Sequence, residues 1–442
     1  MKQHKQVFAV WLVAALVFGG ISVSAQTTTK ALTLKEAIDL SIQNSKLLKG
    51  NRAAITAATA SLKEVKENRL PDVSFSGAYM YLPVAPTFNL KIKTGTDSTS
   101  AGGTPNVKQA LYGMASVAMP IYAGGRFKYG IESARYLEEA TKLDAETNRQ
   151  GVIFNTIDAF ANLYKAKSAV ALGKENLEQS RKRAADFSNL EKNGLLARND
   201  LLKAELQSSN SELALLDAES NYKLATINMD IMLGLPEQTD LVPDTTSLDQ
   251  AVSLKNIEDY EQLAFQNRKD IEALAFRKKA AAVGVKSAQS EYLPTVALTG
   301  GYMAVDVPNL LNAYNIINVG VGVKYSLSSL WKTDAKIQQA KAREQQYAAN
   351  EEMLRDNVQL QINSVYQQYL LSKKKIDVYA KAVDQAAENY KITKNKYDNS
   401  LATLTDLLDA DVAQFQAKLN YTFAKTDAVV TYNKLLETAG LL

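Results

Sequence analysis

Residues 69–81 read RLPDVSFSGAYMY, and residues 291–304 read EYLPTVALTGGYMA. Leu70, Pro71, Val73, Gly77, Tyr79 and Met80 recur as Leu293, Pro294, Val296, Gly300, Tyr302 and Met303, all at one offset of 223 residues. Further along, Ile131, Ala134, Glu138, Leu201, Leu202 and Ala204 recur as Ile337, Ala340, Glu344, Leu407, Leu408 and Ala410, now at an offset of 206. The chain is therefore two copies of one unit, and the first copy carries 17 extra residues. An insertion confined to one place marks a surface loop, here within 83–105, a stretch rich in Thr, Gly and Ser.

Each copy is mostly helix. Proline stops helices, and two long tracts, 121–235 and 309–442, contain none. Residues 333–398 also lack Gly and are rich in Ala, Gln, Lys, Glu and Leu, which favour helix. Val358, Ile362, Val365, Tyr369, Ser372, Ile376, Tyr379, Val383, Ala386, Tyr390, Thr393 and Tyr397 step alternately by four and three. That is the seven-residue repeat of helices packed side by side. Its Ala, Ser and Tyr positions suit a wall of helices better than a free two-stranded zipper. Expected helices are 34–68, 126–193 and 198–233 in the first copy, and 257–291, 333–396 and 403–438 in the second.

Between the first two helices of each copy lie two runs of strand character, 73–82 with 111–122, and 295–305 with 318–327. They alternate with period two: Val73, Phe75, Gly77, Tyr79 and Tyr81 on one face, Ser74, Ser76 and Ala78 on the other. About ten residues per strand, apolar on one face and small on the other, is the pattern of a strand tilted through a bilayer. Tyr79, Tyr81, Tyr112, Tyr122, Tyr302 and Tyr325 are candidates for aromatic belts at the membrane edges. Four strands cannot close a barrel, and unpaired edges are not tolerated in lipid. Three chains would supply about twelve strands.

The N-terminus reads as a secretory signal, 1–25: basic Lys2 and Lys5, an apolar run over 7–21, then Val23-Ser24-Ala25 before Gln26. The chain has no Cys, and its single His, His4, lies inside that signal. The exported chain then lacks the side chains for Ser-His-Asp or Cys-His catalysis and for the usual zinc sites. No catalytic, cofactor-binding or metal-binding residue is expected, and the chain is not expected to be an enzyme. With 51 basic and 47 acidic residues, there is no nucleic-acid footprint. The GVGV at Gly320 lacks the rest of a dinucleotide fingerprint, and the AGGR at Ala123 lacks the P-loop lysine.

Taken in order, LTLKEAIDLSIQNS from Leu32, LPDVSFSGAY, PIYAGGR from Pro120, and the turns NGLLARNDLL from Asn193 and NSLATLTDLL from Asn399 resemble the TolC-like outer-membrane efflux proteins. The resemblance implies a fold of mixed α and membrane β. A long α-helical coiled-coil barrel would join a trimeric 12-stranded transmembrane β-barrel, four strands per chain, from two internal repeats. It implies a first repeat over 26–240, an equatorial linker over 241–256 and a second repeat over 257–442. It implies an outer-membrane channel with a periplasmic extension, serving tripartite efflux or type I secretion. Its partners would be two further copies, a periplasmic adaptor, an inner-membrane RND or ABC transporter, and outer-membrane lipid. Substrate would be selected by the pump, since an aqueous duct contacts cargo weakly.

The same resemblance assigns site residues at the two turns. Asp406 and Asp409, one helical turn apart, would line the periplasmic aperture; as bare sequence, they equally suit a helix N-terminus, where the dipole favours acids. Tyr397 would hold the tip shut against Asp200. The family's locking arginine falls on Ala402, so Arg198 on the other turn is the candidate substitute. Gly194, Leu195, Ser400 and Leu401 would form the adaptor-docking grooves, with Ser400 standing where the family usually has glycine. The alternatives are a structural coiled-coil protein without a channel and a periplasmic adaptor, which would carry one hairpin beside small β-domains.

Overall fold

The computed structural model describes residues 29–84, 107–236, 239–244 and 254–442. The expected signal, the 83–105 loop from residue 85 onward, and 245–253 of the expected linker lie outside the described residues. The elements in order are β1 (Thr29–Leu32), α1 (Leu34–Asn44), α2 (Lys46–Glu67), β2 (Asp72–Tyr81), β3 (Gln109–Tyr122), α3 (Arg126–Lys192), α4 (Arg198–Leu233) and β4 (Asp240–Pro243). Then follow α5 (Ile257–Asn267), α6 (Lys269–Gln289), a 3₁₀ turn, β5 (Thr295–Val307), β6 (Leu311–Lys324), α7 (Ser329–Asp398) and α8 (Leu404–Thr438).

Two expected helices are each broken in two. Ser45 leaves helical geometry at ψ 120°, and its hydroxyl accepts the Leu48 N–H at 3.3 Å, capping α2. Arg268 does the same at ψ 121°, drawn aside by bonds to Asp270, Gln361 and the Thr438 carbonyl. These residues sit at the 223 offset, directly after the matched pairs Gln43-Asn44 and Gln266-Asn267. The returning helices close on the same points. Gly234 and Gly440, both left-handed at φ 70° and 71°, end α4 and α8. A Cβ on Gly234 would lie 3.0 Å from Asn44, and one on Gly440 would lie 3.0 Å from Arg268. Only glycine fits both the φ and the approach.

α3 and α7, with 67 and 70 residues, are each about 100 Å long at 1.5 Å per residue. They organise the chain into four parallel lanes. On one side of the breaks the order across is α2, α3, α6, α7. Beyond them the lanes continue as an antiparallel sheet in the matching order β2-β3-β5-β6. On the other side the order is α4, α3, α8, α7. The α7 stripe from Val358 to Ser372 is buried and its continuation to Tyr397 is half-buried, as a seam with one wet face requires. Around the breaks the wall thickens. There β1 pairs in parallel with β4, and Leu32, Phe160, Leu163, Met229, Leu233 and Leu241 form a core. The second repeat packs Tyr260, Ala264, Val358, Ile362 and Leu435 at its own break.

Strand pairing sorts the sheet's faces. Val73, Val117, Gly300 and Val319 lie level across all four strands, as do Phe75, Ala115, Tyr302 and Ile317. This face is open, with Phe75 82% and Val319 80% exposed. The opposite face carries Ser74 bonded to Ser116 at 2.8 Å, then Gly301 and Asn318. Tyr112 pairs with Ala78 and so lies on this second face, away from Tyr79; a period-two register decides its side. The last strand runs 311–324 rather than 318–327. A bulge between Met303 and Val305 and a left-handed Asn315 (φ 61°) carry it through the polar Asn312–Asn315 stretch. Its far end stops early because Ser326 and Ser328 turn the chain into α7. Among the described residues no helix is long and apolar enough to cross a membrane.

Asp230, in the last turn of α4, is fully buried, and neither carboxylate oxygen has a hydrogen-bond partner. Burial raises its pKa to about 6. A raised acid pKa means the folded state is penalised when the group ionises, so stability is lost as pH rises through that value. Asp230→Asn is expected to stabilise the fold at pH 8 by roughly 2 kcal/mol and so to raise its unfolding midpoint. The difference should shrink below pH 6 and vanish near pH 4, as read by thermal unfolding of both proteins across that range.

Candidate functional site

The tip is built twice at the 206 offset, and the two turns agree bond for bond. α3 ends with the Leu195 N–H on the Leu190 carbonyl at 2.9 Å, and α7 ends with the Leu401 N–H on the Lys396 carbonyl at 2.7 Å. These six-residue closures need a left-handed residue, which is Gly194 (φ 73°) in one turn and Ser400 (φ 57°) in the other. Asn193 and Asn399 each tie their side-chain nitrogen to a carbonyl four residues back, both at 2.7 Å. Each turn thrusts one leucine into solvent, Leu195 at 74% and Leu401 at 77% exposed.

The following helices start differently. Thr403 caps α8 with a full capping box. Its hydroxyl takes the Asp406 N–H at 3.2 Å, and the Asp406 carboxylate takes the Thr403 N–H at 2.9 Å and hydroxyl at 2.6 Å. Those two Thr403 donors, the hydroxyl first, hold the Asp406 carboxyl below the usual carboxylate value. Asp409, one turn on, is exposed. At the first turn Ala197 stands at the cap and offers no side-chain bond. Asp200, the counterpart of Asp406, is therefore left to pair with Lys203 at 3.4 Å.

Tyr397 rests against Phe187, with ring centroids 5.9 Å apart, in a small core with Leu201, Ala204 and Leu404. Burial raises its pKa, helped by the nearby Asp200 and Asp398 carboxylates. Among the described residues, no hydrogen bond joins Tyr397 to Asp200. Arg198 reaches Glu191 at 3.8 Å, on its own hairpin, rather than the second turn around Ala402.

Two features had not been expected from the sequence. Arg183 on α3 and Asp411 on α8 form an ion pair at 2.8 Å, with side chains 11% and 3% exposed, and Arg183 also donates to the Tyr390 hydroxyl at 3.3 Å. Burial lowers the Arg183 pKa, but the Asp411 bond and charge outweigh it and the net direction is upward. The signal lay in the repeat. Their counterparts at the 206 offset, Asn389 and Glu205, are both exposed, and an amide with an acid makes no ion pair. Trp331, exposed at the start of α7 just after the sheet, suits an interfacial anchor.

The pattern described as outer membrane efflux protein matches residues 83–235 and 261–441, most of the chain. The chain belongs to the outer membrane efflux protein family. It is similar to the outer membrane efflux protein BepC of Brucella suis, 24% identical over 363 residues, covering 78% of this chain and 76% of that one. The alkaline protease secretion protein AprF of Pseudomonas aeruginosa is 21% identical over 74% of this chain and 69% of its own. The crystal structure of the outer membrane protein VceC from Vibrio cholerae shares the fold, with a TM-score of 0.74 at 17% identity over 92% of this chain and 96% of that one.

The two turns offer a backbone test. A methyl added at Gly194 would meet nothing within 4 Å, so Gly194→Ala is expected to cost about 1 kcal/mol from φ alone. Ser400→Gly should act in the opposite direction by at most that amount. Denaturant midpoints of the two variants check both signs.

Proposed function

We propose that three copies of this chain close into one continuous duct, a 12-stranded barrel in the outer membrane joined to a 12-helix tube in the periplasm. The observation that carries this is the pair of free edges. β2 and β6 each have a partner on one side only, and an unpaired strand edge is not tolerated in lipid. The helical edges match. α4 exposes Leu206, Leu216 and Leu224, and α7 exposes Ile392, Val378 and Leu371. Counted from the tip at about 1.5 Å per residue, these lie at roughly 10, 30 and 40 Å on both helices. α4 runs away from the tip and α7 toward it, so neighbouring copies would bring the stripes together. Ring size supports three. Two copies would give an eight-stranded barrel of about the size that side chains fill, while twelve strands leave a lumen.

In this duct the sheet face bearing Ser74, Ser116, Gly301 and Asn318 lines water, and the Phe75 face meets lipid. Asp406 and Asp409 repeat as acidic rings at the periplasmic aperture and favour cations. Leu195 and Leu401, set on Gly194 and Ser400, are the docking points for a periplasmic adaptor. An inner-membrane RND or ABC transporter supplies the energy for efflux or type I secretion. Tyr397, Asp200 and Arg198 belong to the closed tip, with the Phe187 contact holding Tyr397 in place.

Two experiments test the duct. The chain lacks cysteine, so Leu216→Cys combined with Val378→Cys gives a clean oxidation assay. A ladder ending at trimer is expected on denaturing gels, and a coiled-coil protein of other architecture would stay monomeric there. In planar bilayers the purified protein should conduct ions with cation preference, and Asp406→Ala with Asp409→Ala should reduce that preference. Unchanged selectivity would remove both residues from the aperture.

A further inference from the structure

Backbone chirality decides which surface of the helical wall is continuous with the Ser74 face of the sheet. For L-residues, a strand seen running upward turns the N–H and C=O of each residue facing the viewer to the right. Leu82, just past β2, donates its N–H to the Lys108 carbonyl on the β3 side at 2.8 Å, and Ser74 shares its parity. From the Ser74 face the lanes therefore read β2, β3, β5, β6 from left to right, above α2, α3, α6 and α7. α6 rises toward the sheet with α3 on its left and α7 on its right. It meets α3 through Phe276 and Ala280, and α7 through Lys278. A right-handed helix turns about 100° per residue, and the sweep from Ala280 to Lys278 crosses the Ser74 side. Ala281, Gly284 and Ala288 lie within that sweep, whereas the exposed Lys279 and Lys286 lie on the opposite surface.

A groove of about 540 Å³ opens along the Ser74 side, between α3, α6 and α7. Ala281, Gly284 and Ala288 form its floor, and Arg277, Lys336 and Arg343 stand over it. Arg277 pairs with Asp144, and Lys336 pairs with Glu291 at 2.5 Å. The exposed Arg343 side chain has no hydrogen-bond or ion-pair partner among the described residues. The fold does not require these cations. At the 223 offset Arg277 corresponds to Ala54, and at the 206 offset Lys336 and Arg343 correspond to Gly130 and Leu137. The first copy builds the same helices with no charge at the three positions, so the cations of the second answer to something other than packing.

We propose that this groove binds organic anions in passage, molecules that carry a carboxylate, sulfonate or phosphate group on an apolar body. The alanine and glycine floor takes the apolar body, beside Tyr347. The Arg343 guanidinium takes the acid through its paired donors, and Arg277 and Lys336 keep the local potential positive. Asp144 and Glu291 offset part of that charge, so binding stays weak enough for release, as a conducting duct needs. The acids of the aperture act elsewhere. Arg343 lies near the sheet end of α7, roughly 80 Å from the tip at 1.5 Å per residue. The proposal rests on the duct reading, which makes the Ser74 side the lumen and gives one groove per chain.

The test uses the full chain in lipid nanodiscs and in planar bilayers. The probe is naphthalene-2-sulfonate, and the neutral naphthalene-2-sulfonamide is its control. Calorimetry against empty discs should show the sulfonate binding about tenfold tighter than the sulfonamide or better. Arg343→Ala should lose about tenfold in sulfonate affinity, and Lys279→Ala, on the opposite surface, should lose none. In bilayers the sulfonate should reduce the wild-type conductance and spare that of Arg343→Ala. Equal affinity for the two probes, or sulfonate binding unchanged by Arg343→Ala, would overturn the groove as an anion site. Binding as expected from a wild type that conducts no ions would leave the site standing and overturn the duct reading. Binding as expected with a conductance that ignores the sulfonate would overturn the groove's place in the lumen.

Discussion

An extended strand with a free edge leaves a row of backbone donors and acceptors unmatched, and a bilayer core supplies nothing to match them. The four-stranded sheet has two such edges and one broad apolar face. Its helical continuation repeats the difficulty in water, with leucines exposed along the outer flanks of α4 and α7. Both deficits lie on the same two sides of the ribbon because the lanes run unbroken from helix to strand. In the proposed duct one mode of association answers both, and the length of α3 and α7, the alternation of the strands and the even order of the lanes would serve it.

Duplication gives the ribbon its paired backbone geometry. Breaks at Ser45 and Arg268, glycine stops at Gly234 and Gly440, and left-handed turns at Gly194 and Ser400 come in pairs at constant offsets. Each pair keeps its backbone geometry while its side chains diverge. Ser45 caps the following helix through its hydroxyl, whereas Arg268 breaks the helix by reaching for three neighbours. Thr403 builds a capping box and Ala197 does not, so the equivalent acids Asp406 and Asp200 face different partners. The scaffold is symmetric, and function enters where side chains depart from symmetry.

The departure that matters most is at the α3–α8 contact. Ion pairs also act inside a hairpin, as Arg181–Glu212 does between α3 and α4, but those side chains are more than half exposed, whereas Arg183 and Asp411 are 11% and 3% exposed. That buried pair stands just above the Phe187–Tyr397 contact, so ionic and aromatic ties act on one short length of helix.

Two copies of a long-helix unit with paired strands were legible in the sequence. Turns and strand entries keep their Gly, Pro and Asn under backbone constraint, so the 223 and 206 offsets survive there. Proline-free tracts and period-two alternation needed no partner to be read. The helix breaks escaped notice because Ser and Arg are tolerated in helices; Ser45 leaves for a cap, and Arg268 for contacts with remote residues. The polar start of β6 and the side taken by Tyr112 depended on a bulge and on strand register. At the tip, the acids and turn residues could be named from sequence, but the seat of Tyr397 on Phe187 and the burial of Asp411 could not. Sequence pattern records what each element requires of its own backbone. Only the packed structure decides which face meets which, because that choice depends on distances between residues hundreds of positions apart.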